Sequence, residues 1–212
     1  MSRFDSIILD IDGTIWNTTG IVAEGWNKAI EKTFPQVPRV TPDILKGQFG
    51  KTMNVIAENL FGCLNDEEKD ILKCQCNAEE RILIGKLDDD ISFPNVRRLI
   101  PELAKTYKIF IVSNCQNGYI HITMKKNHIE NYITDWECYG NTGNCKGENI
   151  KAVIERNSLK SPVYVGDTQS DLEACEVAGI PFIWAAYGFG HPESYKARLD
   201  DFGDLPELLE KL

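Results

Sequence analysis

Two aspartates separated by one apolar residue, Asp10 and Asp12 in Ile8-Leu9-Asp10-Ile11-Asp12-Gly13-Thr14, follow directly on the branched apolar run Ser6-Ile7-Ile8-Leu9. Neighbouring carboxylates repel each other unless a cation or a shared proton relieves them, so the pair implies a metal, acid–base work, or both. Solvated aspartates behind a core strand are the bland alternative, because a short motif is only a hypothesis until its context supports it. A second apolar run, Pro162-Val163-Tyr164-Val165-Gly166, is followed by Asp167 and Asp171. Asp171 also suits the first turn of a helix, where acids meet the positive end of the dipole; Asp167, after Gly at a strand end, is harder to explain that way. Ser113-Asn114 closes a third apolar run and offers a hydroxyl and an amide to an anion, or an ordinary helix cap. Lys146 opens a helical stretch against the dipole, a placement that a phosphate or carboxylate partner would justify and a solvated surface lysine would not need. Hard oxygen ligands without His or Cys select Mg2+ over zinc.

These residues need elements that bring them to one place. Ser6–Leu9, 108–113, 162–166 and 181–184 read as buried parallel strands, with 134–138 a weaker one. Helical patterns fill 95–106, 117–127, 146–157, 170–178 and 204–212. Such alternation predicts an α/β fold, a doubly wound parallel Rossmann-like sheet, with ligands outside the carboxyl ends of its strands. Residues 16–90 break the alternation. Apolar residues at 22, 26, 29 and 30 mark a helix over 20–33, Thr41-Pro42-Asp43 starts another, and 54–61 and 66–84 follow. The expected organisation is therefore a core of 1–15 with 91–212, and an α-helical insertion over 16–90.

With a formal net charge of -9, the chain lacks the electrostatic footprint of a nucleic-acid binder and has no attraction to anionic membranes. No stretch approaches membrane-spanning length and Met1–Asp5 carries no apolar signal region, so the expected location is the cytoplasm. Seven scattered cysteines without a Cys-x-x-Cys read as reduced thiols, most of them small buried apolar residues. His121, His128 and His191 match no motif, and Gly188-Phe189-Gly190-His191 receives no role.

Asp-x-Asp-Gly-Thr, a Ser after a strand, a Lys, and Gly-Asp-x-x-x-Asp, in this order from Asp10 to Asp171, resemble the haloacid dehalogenase superfamily of phosphatases. The helical insertion resembles that superfamily's small α-helical cap, as in its phosphoglycolate phosphatase and β-phosphoglucomutase-like branch. The resemblance implies Mg2+-dependent hydrolysis of a small soluble phosphate ester. Asp10 would be the nucleophile that forms an aspartyl-phosphate, and Asp12 the acid and then the base. Ser113, Asn114 and Lys146 would hold phosphoryl oxygens. Asp10, Asp167 and the Asp12 carbonyl would hold the metal, with Asp171 supporting it.

Asp12 argues against dehalogenases, which have no leaving group to protonate, and against phosphonate hydrolases, which carry a small residue there and a Schiff-base lysine in the cap. Lys51 is the only candidate for that lysine, and reads better as a substrate-facing or solvated residue. It also keeps a sugar-phosphate mutase open as the alternative, since mutases share Asp12 and grip a second phosphate with a basic cap residue. A phospho-receiver, disfavoured by Asp12 and by the insertion, and an inert partner-binding module, disfavoured by the presence of every motif residue, are the remaining readings. Trp16 is a candidate substrate contact from the cap, although core packing is the usual fate of such an aromatic.

Overall fold

The computed structural model describes residues 3–212; Met1 and Ser2, part of the segment read as lacking a signal region, lie outside the described residues. Six strands, β1 (Ser6–Leu9), β2 (Lys108–Ser113), β3 (Ile133–Cys138), β4 (Pro162–Gly166), β5 (Phe182–Ala185) and β6 (Ala197–Leu199), form one sheet in the order β3-β2-β1-β4-β5-β6. Every pairing is parallel. The helices are α1 (Thr19–Thr33), α2 (Pro42–Lys46), α3 (Met53–Leu60), α4 (Asp66–Lys86), α5 (Val96–Leu103), α6 (Tyr119–Asn127), α7 (Tyr139–Thr142), α8 (Lys146–Asn157), α9 (Gln169–Ala178) and α10 (Leu205–Lys211). None is long and apolar enough to cross a membrane.

The chain forms two compact units: the segment up to Asn17 with Ile91–Leu212, and Thr18–Asp90. The first is the α/β unit expected from the alternating pattern. Ile7, Ile8 and Leu9 of β1 are buried on both faces, as a central parallel strand requires, and Ile8 lies between Phe110 and Tyr164 in register. Each such side chain contributes about 1.5–3 kcal/mol on burial, which sets the register of β1 against both neighbours. One core cluster packs Ile8, Phe110, Val112 and Tyr164 under Ile150 and Val153 of α8 and Leu172 of α9. The strand order reverses at β1 and β4, the point where a doubly wound sheet opens a crevice beyond its carboxyl ends.

Besides the short helix α7, three features differ from the sequence expectation. A sixth strand, β6, pairs with β5 over Ala197–Leu199, too short and too exposed at Arg198 to leave an apolar run. The helix expected over 117–127 starts at Tyr119, because Gly118 takes a left-handed φ of 88° and turns the chain. Cysteine burial is lower than expected: Cys76, Cys138 and Cys175 are buried, whereas Cys63, Cys74 and Cys145 are exposed; all seven are free thiols.

The Thr18–Asp90 unit is helical throughout. Trp26 of α1 lies 6.3 Å from Phe61 and donates its indole N–H to Glu80 of α4 at 2.9 Å. Buried Asn27 accepts from the Val40 N–H at 2.9 Å and donates to its carbonyl at 2.8 Å, tying the segment before α2 to α1. Thr41 caps α2 through the Ile44 N–H, and Asn65 with Glu68 forms a reciprocal capping box at the start of α4.

Candidate active site

At the reversal point the β1 ladder runs one residue past the strand, with the Asp10 N–H donating to the Val165 carbonyl at 3.0 Å. The chain then turns sharply: Ile15 N–H bonds to the Ile11 carbonyl at 2.7 Å and Gly13 N–H to the Trp16 carbonyl at 3.0 Å. Gly13 makes that turn possible. Its φ is 86°, and a Cβ there would lie 2.1 Å from a carboxylate oxygen of Asp167.

The structure brings Asp10, Asp167, Asp171 and Lys146 together. The carboxylates of Asp10, Asp167 and Asp171 each offer an oxygen within 4.8 Å of the others, and all three residues are buried. Lys146 Nζ stands 2.6 Å from Asp171 Oδ1 and 3.0 Å from Asp10 Oδ1, and lies 5.9 Å from the centre of the Tyr164 ring. That explains the lysine at the positive end of α8: two buried acids outweigh the unfavourable dipole.

Asp171 is saturated with donors. Its Oδ1 accepts from Lys146 at 2.6 Å, and the Tyr164 hydroxyl, which donates to the Val112 carbonyl at 2.8 Å, lies 3.3 Å from it. Its Oδ2 accepts from the Asp167 N–H at 3.1 Å, the Thr168 N–H at 2.9 Å and the Thr168 hydroxyl at 2.8 Å. Asp167 is half satisfied. Its Oδ2 accepts from the Phe189 N–H at 2.7 Å, whereas its buried Oδ1 has no hydrogen-bond partner.

Electrostatics follow from these contacts. Burial pushes the Asp10 carboxyl up to about 6, against the pull of Lys146 and with a further push from Asp171. Burial, then Asp171 and Asp10, drive the Asp167 carboxyl well above the usual range. Burial also works upward on Asp171, but Lys146 and the Thr168 donors hold it below its ordinary value. The Lys146 ammonium is held above its usual range by Asp10 and Asp171 in spite of its burial. Three buried carboxylates thus face one buried ammonium, an imbalance that a hard divalent cation at the unpartnered Asp167 oxygen would correct.

Asp12 is half-buried and accepts a hydrogen bond from the Tyr119 hydroxyl at 2.9 Å. Ser113, buried at the end of β2, and half-buried Asn114 after it stand at the same sheet edge as Asp10, on the strand next to β1. Trp16 is fully enclosed, the core-packing outcome, edge-on to Tyr119 at 5.8 Å. Lys51 belongs to the Thr18–Asp90 unit, where it is exposed and donates to the Gly47 carbonyl at 3.0 Å and Gln48 Oε1 at 3.2 Å.

Four contributors were not singled out from the sequence. Tyr119 and Tyr164 act through contacts that no local pattern displays, whereas Thr168 forms a Thr-x-x-Asp capping box with Asp171, a signal the sequence did offer. The Phe189 N–H comes from the Gly188-Phe189-Gly190 turn after β5, where a Cβ on Gly188 would lie 2.3 Å from Asp167 Cβ; two glycines straddling one residue behind a strand were the available signal.

The arrangement offers a buried carboxylate next to a candidate cation site and an ammonium, with a second, more accessible carboxylate two residues on. A family model described as haloacid dehalogenase-like hydrolase matches residues 7–185. Several solved structures share the fold over nearly their whole length. A protein from Haemophilus somnus described as a predicted phosphoglycolate phosphatase is 20% identical with a TM-score of 0.86, covering 98% of this chain and 99% of that one. A haloacid dehalogenase-like family hydrolase from Streptococcus pneumoniae is 15% identical with a TM-score of 0.83, covering 97% and 98%. A HAD-superfamily hydrolase of subfamily IA from Geobacter sulfurreducens is 16% identical with a TM-score of 0.73, covering 98% and 97%. At such identities the likeness is one of fold. No curated protein matches this sequence.

Proposed function

Because the chain belongs to the haloacid dehalogenase-like hydrolases, we propose that it is an Mg2+-dependent phosphomonoesterase acting on a small soluble phosphorylated metabolite through an aspartyl-phosphate. The observation that carries this reading is the excess of buried negative charge around Asp10, with Asp167 Oδ1 left unpartnered beside it. A phosphate dianion does not approach a carboxylate until cations offset both charges, and the site has a lysine and room in its donor set for a metal.

Asp10, Asp167 and the Asp12 carbonyl are the proposed ligands of Mg2+. Asp171 has its lone pairs committed to Lys146, the Thr168 hydroxyl and the 167–168 backbone, so its part is to fix that lysine and that turn. When bound, the metal supplies Lewis-acid stabilisation of charge on the phosphoryl oxygens. Asp10 attacks phosphorus while the ester P–O bond breaks. Asp12 gives a proton to the departing oxygen and then takes one from the water that cleaves the acyl phosphate. Ser113, Asn114 and Lys146 hold the phosphoryl oxygens as charge spreads over them. Lys51 is the candidate cation for an anionic group of the substrate.

Trapping tests the reading. Acid quenching during turnover, followed by peptide mapping, is expected to find one phosphoryl group on Asp10. Label on any other residue, or turnover without label in Asp10, overturns the assignment.

A further inference from the structure

We propose that Tyr119 is the positioning residue for the proton-transferring carboxylate of Asp12, and that the proton travels through Asp12 Oδ2; this rests on the phosphomonoesterase reading above. The two residues lie 107 positions apart, yet the Tyr119 hydroxyl donates to Asp12 Oδ1 at 2.9 Å. Tyr119 is only 5% exposed and stands at the first turn of α6. Its backbone is fixed at both ends: its N–H bonds to the Gln116 carbonyl at 3.1 Å, and its carbonyl accepts the Thr123 hydroxyl at 3.0 Å.

The ring is fixed as well. It packs edge-on to Trp16 at 5.8 Å, and Trp16 in turn accepts the Gly13 N–H on its carbonyl at 3.0 Å. The turn that carries Asp12 and the phenol that grips it therefore form one packed assembly within the α/β unit. A phenol aimed by such packing selects one oxygen and one orientation of the carboxylate.

The consequence for proton transfer is specific. A donor on Oδ1 occupies that oxygen, so the transferable proton resides on Oδ2. In the first step the Oδ2–H bond breaks, its electron pair stays on Asp12, and the proton joins the leaving oxygen as the P–O bond opens. The Tyr119 bond to Oδ1 becomes charge-assisted as the carboxylate forms, so it is stronger in the transition state than before it. In the second step water passes a proton to Oδ2 while its oxygen attacks phosphorus and the Asp10 carboxylate departs. Tyr119 keeps its own proton throughout.

A leaving-group comparison separates this from a packing role. kcat/KM, which covers events through the first phosphoryl transfer, is measured for p-nitrophenyl phosphate and for the alkyl phosphate that the wild type hydrolyses best. Wild type, Tyr119→Phe and Asp12→Ala are compared. Tyr119→Phe keeps the ring against Trp16 and removes only the hydroxyl. Its alkyl-to-aryl ratio of kcat/KM is expected to fall roughly tenfold, equivalent to about 1.4 kcal/mol, because an aryl leaving group departs without protonation. The ratio is taken within one preparation and is independent of the fraction correctly folded. If Asp12→Ala shows the split and Tyr119→Phe shows equal losses or none, the positioning role is overturned. If Asp12→Ala itself shows no split, the assignment of Asp12 as the acid fails, and the proposal with it.

Discussion

Asp171→Asn removes one charge and no volume, and its cost can be worked from the contacts. Four donors are committed to this carboxylate, Lys146 on Oδ1 and two N–H groups and the Thr168 hydroxyl on Oδ2, while the Tyr164 hydroxyl, 3.3 Å from Oδ1, gives its proton to the Val112 carbonyl at 2.8 Å. An amide offers one oxygen, so in either orientation its NH2 faces donors and leaves them unpaired. Breaking one side of a buried ion pair costs about 3–5 kcal/mol, a large share of a typical total of about 5–15 kcal/mol. Asp10 remains 3.0 Å from Lys146, which favours the lower part of that range. For a chain of this size each kcal/mol moves the melting point by about 2–4 °C, giving an expected fall of roughly 6–20 °C. Calorimetry on wild type and variant measures it. A fall of less than about 2 °C would refute the view that Asp171 anchors the site, since that is under 1 kcal/mol. The Mg2+ dependence of residual activity completes the test. Half-saturation is expected to stay near the wild-type value in Asp171→Asn and to rise in Asp167→Asn; the reverse order would make Asp171 the ligand.

Two further perturbations probe the frame of the site. Gly13→Ala forces an alanine to φ 86°, at about 1–2 kcal/mol, and places its Cβ 2.1 Å from the Asp167 carboxylate, so turnover is expected to drop about 100-fold; steady-state assays with near-wild-type kcat would contradict the close approach. Arg156 binds Asp135 at 2.6 Å and Glu137 at 2.7 Å; burial pushes both acids up, but Arg156, helped by Asn157 at Asp135 and by Asn141 at Glu137, holds them below their ordinary range. Folded values below unfolded ones mean that this contribution is complete above about pH 4.5 and is lost as pH falls through the lower folded values. Arg156→Met is therefore expected to cost about 1 kcal/mol at neutral pH, as befits a half-exposed network, with the gap to wild type closing in acid; urea melts showing a constant gap would remove the linkage.

The parallel sheet was legible because β1, β2 and β4 are short runs of branched apolar residues separated by helical periods, and a strand buried on both faces has no other way to read. β6 was not: three residues, one of them the exposed Arg198, carry no period. Asp10, Lys146 and Asp167 stood out because each departs from what its element alone would choose, an acid at a buried strand end or a lysine at the wrong end of a helix; Asp171, an ordinary first-turn acid of α9, stood out only by its spacing from Asp167. Tyr119 escaped notice for the opposite reason. It looks like an apolar residue of α6, and only the fold brings its hydroxyl to Asp12. The Phe189 N–H left only an indirect mark, the flanking Gly188 and Gly190, because the contribution is from the backbone and the side chain advertises nothing.

Phosphate release from a panel of phosphorylated metabolites, with Mg2+ and after its removal by a chelator, tests the central claim most directly when run beside Asp10→Asn. Release that requires Mg2+, returns when the metal is restored and is abolished in a folded Asp10→Asn protein is the predicted result. Release that persists without metal, or that survives in Asp10→Asn, would contradict an aspartyl-phosphate formed on Asp10.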